Sequence, residues 1–176
     1  MAAKDQIPCN TDLLQASKFT LAFPRINATQ FFCQAINIPG ISTQSTIQTT
    51  PFSDLAIPGD KIVYETLDIE FLLDEELQSW LILHDWMKGI AFPEDYSQYR
   101  NLDKLSKYSG AVRYPQYADA DLIILSASNN PKTKIHFVDA FPISLSGVPM
   151  DIRLDSSHTM TARASFRFKR YDINSV

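Results

Sequence analysis

Residues 34–86 read QAINIPGISTQSTIQTTPFSDLAIPGDKIVYETLDIEFLLDEELQSWLILHDW, and this stretch decides the fold. Asn37-Ile38-Pro39-Gly40 is turn chemistry, after which Ile41 to Thr50 carries Ser, Thr and Gln but no charge. Thr and Ile favour an extended backbone, yet such a strand offers little apolar surface to either side. Its stability must come from ladder hydrogen bonds, so a free edge would seek another chain. Beyond Pro51-Phe52 and a turn expected at Ile57-Pro58-Gly59-Asp60, the run Lys61 to Leu73 alternates. Leu67, Ile69, Phe71 and Leu73 fall on one face, and Thr66, Asp68, Glu70 and Leu72 on the other. The two segments together predict one long hairpin-like ribbon, an assembly part rather than a catalyst.

A helix should follow. Asp74 suits an N-cap, and Glu75 and Glu76 put negative charge in the first turn. Leu77, Trp80, Leu81, His84 and Met87 or Lys88 recur at helical spacing, and Gly89 is placed to end the element. The expectation is one amphipathic helix packed on a sheet.

Around this centre the chain reads as strands. Lys18 to Phe23 and Phe31 to Ile38 alternate and are expected to pair antiparallel, the second carrying Phe32, Ile36 and Ile38 on one face. Later strands are expected at Asp121 to Ser128, Lys134 to Phe141, Ile143 to Val148 and Met160 to Tyr171, with a turn at Asn129-Asn130-Pro131. Residues 1–17 have no period and read as an N-terminal arm. Residues 90–120, with Tyr96, Tyr99, Tyr108, Tyr114 and Tyr117, read as a long interface loop, because a connection of this length tends to serve a function.

The chain of 176 residues can bury a sizeable core and is most simply one domain, residues 1–176. It has no apolar run near the roughly 20 residues of a membrane span, and no membrane insertion of its own is expected. The net charge of −4 is unevenly spread. Between Ile41 and Glu76 eight carboxylates face Lys61 alone, a net −7 that leaves +3 elsewhere, with Arg163, Arg167, Lys169 and Arg170 gathered late in the chain.

No chemistry-bearing constellation emerges. Cys9 and Cys33 lack Cys-x-x-Cys or metal-ligand spacing and read as structural thiols. Ser79, His84 and Asp85 could be drawn as a triad, but no nucleophile framework surrounds Ser79, and His84 shares a stripe with Trp80 and Leu81. His84, His136 and His158 are far apart, so no metal is expected, and there is no Gly-rich phosphate loop. The basic alternation Arg163, Arg167, Lys169 reads as a salt-bridged or solvated strand face rather than a nucleic-acid stripe. No catalytic residue, cofactor or enzyme activity is assigned.

Phe32-Cys33-Gln34-Ala35, Ile38-Pro39-Gly40-Ile41, Ile57-Pro58-Gly59-Asp60, Leu67-Asp68-Ile69-Glu70-Phe71, and Asp74-Glu75 with a helix ending near Asp85-Trp86, in that order and spacing, resemble the tail tube proteins of contractile-tailed bacteriophages. Type VI secretion and other contractile injection systems build similar tubes. The resemblance implies a mainly β fold, a β-barrel or β-sandwich with one flanking α-helix and a long β-hairpin. It implies hexameric rings stacked into the inner tail tube of a virion, through which DNA passes, with sheath, tape measure and baseplate tube proteins as partners. On that basis Thr46, Gln48, Thr50, Phe52, Asp54 and Leu55 of the hairpin are expected at inter-subunit or inter-ring contacts. Asp68 and Glu70 are expected to face the lumen, where six copies of the acidic segment would repel transiting DNA rather than hold it. A baseplate tube initiator or a tail terminator of the same fold is the alternative. From a different class, a monomeric β-sandwich gripping sugar or peptide through its tyrosines is the other.

Overall fold

The computed structural model describes residues 13–26, 33–106, 115–153 and 159–175, the side chains of residues 101 and 103–106 excepted. Within them the elements run β1 (Phe19–Ala22), β2 (Cys33–Asn37), β3 (Ile41–Thr49), β4 (Asp54–Tyr64), β5 (Leu67–Leu72), α1 (Gln78–Ala91), α2 (Ser97–Ser106), β6 (Ala118–Leu125), β7 (Pro131–Leu145), β8 (Thr161–Arg167) and β9 (Arg170–Ser175). The fold is mainly β, as expected, but the described residues carry two helices rather than one, because the second forms inside the stretch read as loop. Of the sequence expectations, Phe31, Phe32, Cys9, Tyr108, Tyr114, His158 and residues 1–12 of the arm lie outside the described residues.

Seven strands form a single antiparallel system in the order β1-β6-β7-β8-β5-β2, with β9 also on β7. The residues expected as one hydrophobic face supply the core. Leu67, Ile69 and Phe71 of β5 and Ala162, Ala164 and Phe166 of β8 are all buried. Their register sets large against small, Ile69 opposite Ala164 and Phe71 opposite Ala162, which lets facing layers interdigitate. Phe23 joins them, 5.8 Å from Trp86 and 5.2 Å from Phe166 between ring centroids.

β7 is one strand of 15 residues where two were expected, and it belongs to two sheets. Residues up to Val138 pair with β9 and residues up to Ala140 with β6; from Phe141 onward the partner is β8. The switch falls at Asp139, which adopts φ 55° and donates its N–H to Asp119 Oδ1 at 3.0 Å. This extra residue changes the parity of burial from Ile135 and Phe137 to Ala140, the behaviour of a β-bulge. A corresponding break splits the expected strand Met160 to Tyr171 into β8 and β9.

β1 and β2 do not pair with each other as expected. β1 lies on β6 and β2 on β5, and both are outer strands. Between them Phe19, Ile36, Leu122 and Ile124 line a cleft of about 300 Å³, so among the described residues the sheets stay open, and of the expected barrel or sandwich it is the sandwich, of two sheets sharing β7, that describes them.

α1 differs from its expectation in start, phase and end. Asp74 Oδ2 accepts the N–H of Gln78 at 3.2 Å, but the helix begins only at Gln78, after Leu77 at φ 52°, so Glu75 and Glu76 precede the first turn. The buried stripe is Ser79, Leu83, Trp86 and Gly89, whereas Leu81 and His84 face outward. Gly89 is inside the helix, buried against α2. A Cβ there would stand 2.4 Å from Leu102 Cγ, so close packing rather than helix termination requires glycine. Trp86 Nε1 donates to Gln116 O at 3.1 Å. The Arg25 guanidinium lies 4.6 Å over the Trp86 ring and donates to Pro115 O, and burial pushes its pKa down to about 10.

Candidate subunit interface

The hairpin is the site. Its arms are Ile41–Thr49 and Asp54–Tyr64, not Ile41 to Thr50 with Lys61 to Leu73 as expected, and among the described residues β3 and β4 pair only with each other. β5 instead joins the main sheets, because its Leu67, Ile69 and Phe71 are apolar enough to be buried.

The turn is at Thr50-Pro51-Phe52-Ser53, closed by the Thr50 N–H to Ser53 O at 3.2 Å and the Ser53 N–H to Thr50 Oγ1 at 3.2 Å. Pro58-Gly59, expected as the turn, is a bulge within β4, where Ser45 faces Pro58 but Thr43 faces Ile62. A Cβ on Gly59 would stand 2.4 Å from Gln44 O, so only glycine lets the arms approach there. Proline is tolerated because this strand is an edge.

The base of the ribbon is anchored. The Glu65 N–H donates to Gly40 O and the Gly40 N–H to Glu65 Oε2, each at 3.1 Å. Tyr64 packs against Phe168 and Tyr171 at 5.6 and 5.4 Å, and Tyr171 Oη donates to Pro39 O at 3.3 Å. Past this clamp the ribbon stands free: all nine residues of β3 are exposed.

Its two faces are both partly apolar. Ile41, Ile47 and Ile62 lie on one; Leu55, Ile57 and Val63 lie on the other, beside Thr46 and Gln48. Thr46 sits opposite Ile57 and Gln48 opposite Leu55, while Thr50 and Phe52 are in the turn and Asp54 faces Thr49. The structure therefore brings all six expected contact residues to the outer half of the ribbon, with Phe52 99 % exposed. A core-facing strand pair would be apolar on one face only.

Asp68 and Glu70 lie on the outward face of β5, as the alternation requires. Glu70 is not a free charge: it accepts from Thr161 Oγ1 at 2.9 Å and from Arg163 Nε at 3.3 Å, which realises the salt-bridged reading of that basic residue. Asp68 is exposed opposite Asn37 and Ser165. A second charged cluster joins β6 and β7, where Asp121 accepts from His136 Nδ1 at 2.6 Å and from Lys134 Nζ at 3.0 Å. Partial burial pushes the Asp121 carboxyl up, but these two hydrogen bonds and the neighbouring charges outweigh it and hold the group below its ordinary range.

The triad drawn from Ser79, His84 and Asp85 is not assembled. Ser79 is wholly buried, and His84 stands on the outer side beside Asp85. Among the described residues no group of three or more His, Cys, Asp or Glu could hold a metal ion, and no helix is long and apolar enough to cross a membrane. Burial pushes the Cys33 thiol up to about 11, as suits a structural thiol. The described tyrosines of the expected loop make ring contacts: Tyr96 stacks on Tyr99 at 5.7 Å and Tyr117 meets Phe141 edge-on at 5.7 Å.

One apolar surface was missed in the sequence. Trp80, Met87, Ala91, Pro93 and Leu145 line a groove of about 460 Å³ on the outer side of α1, rimmed by His84 and Lys88. The expected helix phase conceals it, since Trp80, His84 and Met87 read as a stripe packed on the sheet and Ala91 and Pro93 read as loop.

A family described as phage tail tube protein matches residues 8–174. The tail tube terminator protein of Enterobacteria phage T4 is 28 % identical over 167 residues, spanning 89 % of this chain and 86 % of its own. The tube-terminating cap of the anti-feeding prophage superposes with a TM-score of 0.63 at 11 % identity, covering 100 % of both chains. A chain of the sheath–tube complex of the extracellular contractile injection system PVC gives 0.59 at 12 % identity, again over 100 % of both. These two structures share the fold. The chain belongs to the phage tail tube protein family.

Proposed function

We propose that this protein terminates the tail tube of a contractile phage tail: copies close into a ring on the last ring of the tube, stop its growth and leave the channel open for DNA. The likeness that carries this reading is the near full-length one to the T4 tail tube terminator. It favours a terminator over the repeated, stacked tube subunit expected first from the sequence. The free ribbon, apolar on both faces, supports assembly in either case, since such a surface is stable in water only when covered.

A ring of six copies is the arrangement this reading implies, with tube subunits, sheath proteins and the tape measure as neighbours. In it the outward face of β5 lines the channel. Because Arg163 and Thr161 already satisfy Glu70, Asp68 supplies the freer negative charge there. The test is a tube-growth assay. Tube subunits polymerising from baseplates should stop at a fixed length when this protein is added, and a host infected by phage lacking it should yield tails of uncontrolled length. Tubes that incorporate the protein along their whole length would support the stacked-subunit reading instead.

A further inference from the structure

Two apolar surfaces of this chain have opposite shapes. The hairpin turn protrudes, with Phe52 at its tip 99 % exposed. The α1 groove recedes, walled by Trp80, Met87, Ala91, Pro93 and Leu145. We propose that the tip of one copy, Phe52 leading, seats in the α1 groove of the next copy and so joins neighbours head to tail around the ring. This rests on the ring-forming part of the function proposed above and specifies its joint.

Three observations lead here. First, Trp80 and Leu145 pack on the edge of the core, Trp80 Nε1 donating to Ser146 O at 3.1 Å, and leave a recess that continues over the half-buried Met87 to the exposed Ala91. An apolar recess open to water is suited to an apolar side chain that fills it. Second, β3 has nine residues, so the ribbon reaches roughly 30 Å from its clamp and presents its tip clear of its own sheets. Third, a charge partner stands at the rim. Asp54 is two residues past Phe52, and Lys88 rims the groove beside His84, which already faces Asp85 at 3.3 Å. Lys88 Nζ holds Glu94 at 3.0 Å, and an ammonium has further donors for an incoming carboxylate. Trp80 stacks on His84 at 5.2 Å and 12°, giving the groove a flat aromatic wall.

Tip and groove are different patches of the same chain, so the joint is heterologous: each copy gives one and receives one, and the series ends only by closing. Single variants in either half should act alike, and in mixture they should leave one working joint.

The experiment uses the full chain, alone and with preformed tube ends. Phe52→Asp and Ala91→Glu alter exposed positions, and circular dichroism verifies that both fold. Each should weaken self-association about tenfold or more, as expected for losing a buried phenyl contact. Mixing them should give a discrete heterodimer, in which the intact tip of A91E meets the intact groove of F52D. Separately, Phe52→Cys with Ala91→Cys should produce, on oxidation, a disulfide between positions 52 and 91 of different chains, identified by peptide mass spectrometry. Unchanged association of both variants, or no such disulfide even on tube ends, overturns the proposal. A ring that assembles without this joint leaves the terminator reading standing. A joint that forms in a protein that never halts tube growth removes the terminator reading and leaves the joint.

Discussion

Gly89 carries no side chain where α1 meets α2, and Leu102, 1 % exposed, has nowhere to withdraw. Gly89→Ala should therefore overpack the core and cost about 1–3 kcal/mol in urea unfolding despite its gain in helix propensity. The glycine itself was conspicuous in the sequence. Its role was not, because a glycine after an apolar run suits a helix end as well as a close crossing. Asp121 yields a pH prediction. Its carboxyl is depressed in the folded state, so the stability it contributes is present above the unfolded value of about 3.9 and is lost as pH falls through the folded value. Asp121→Asn should flatten the dependence of the urea midpoint on pH across the acid range. An equally steep acid loss in that variant would assign the effect to other carboxylates.

At the scale of elements, alternation in β5 and β8 was legible because a half-buried strand sorts its residues by parity, and Leu67, Ile69, Phe71, Ala162, Ala164 and Phe166 are buried as that parity demands. The phase of α1 was not legible. Leu81, Leu83, Trp80 and Trp86 place apolar groups around much of the helix, and periodicity cannot say which side meets the sheet. Leu83→Ala should cost about 2–5 kcal/mol, and Leu81→Ala under about 0.5, in thermal or chemical unfolding; the reverse order would restore the phase expected from sequence. The ribbon was foreseen as a part needing partners, but its turn was misplaced because Pro-Gly marks a bulge as readily as a reversal. An isolated pair of strands is marginal in water. Amides of β3 and β4 beyond the clamp should thus exchange with solvent far faster than those of β5 in the free protein, and become protected on assembly. Mass-spectrometric hydrogen exchange on the two states measures this directly.

For the molecule as a whole, the segment bearing −7 includes both the ribbon and β5, so in the proposed ring acidity and contact surface would arrive together. Asp68→Lys should slow DNA ejection or trap DNA in the channel without altering ring formation, as read by ejection kinetics of reconstituted phage. Glu70→Lys should in addition lower stability, because it strands Arg163 beside a like charge. Ejection unaffected by Asp68→Lys would place that face of β5 away from the channel. Which sheets pair across the molecule was the least legible feature, since β7 changes partners midway and nothing in local sequence announces a strand common to two sheets. That shared strand has a consequence for biosynthesis. Its partners β8 and β9 come after it in the chain, so a nascent polypeptide leaving the ribosome holds β1, β2, β5 and β6 before the spine that unites them is fully flanked. The ribbon, closing on its own sequence neighbours, can form earlier, and polysomes would then display adhesive hairpins ahead of finished bodies. The kink at Pro58 and Gly59 interrupts its hydrogen-bonding edge and so guards the half-made chains against sticking to one another.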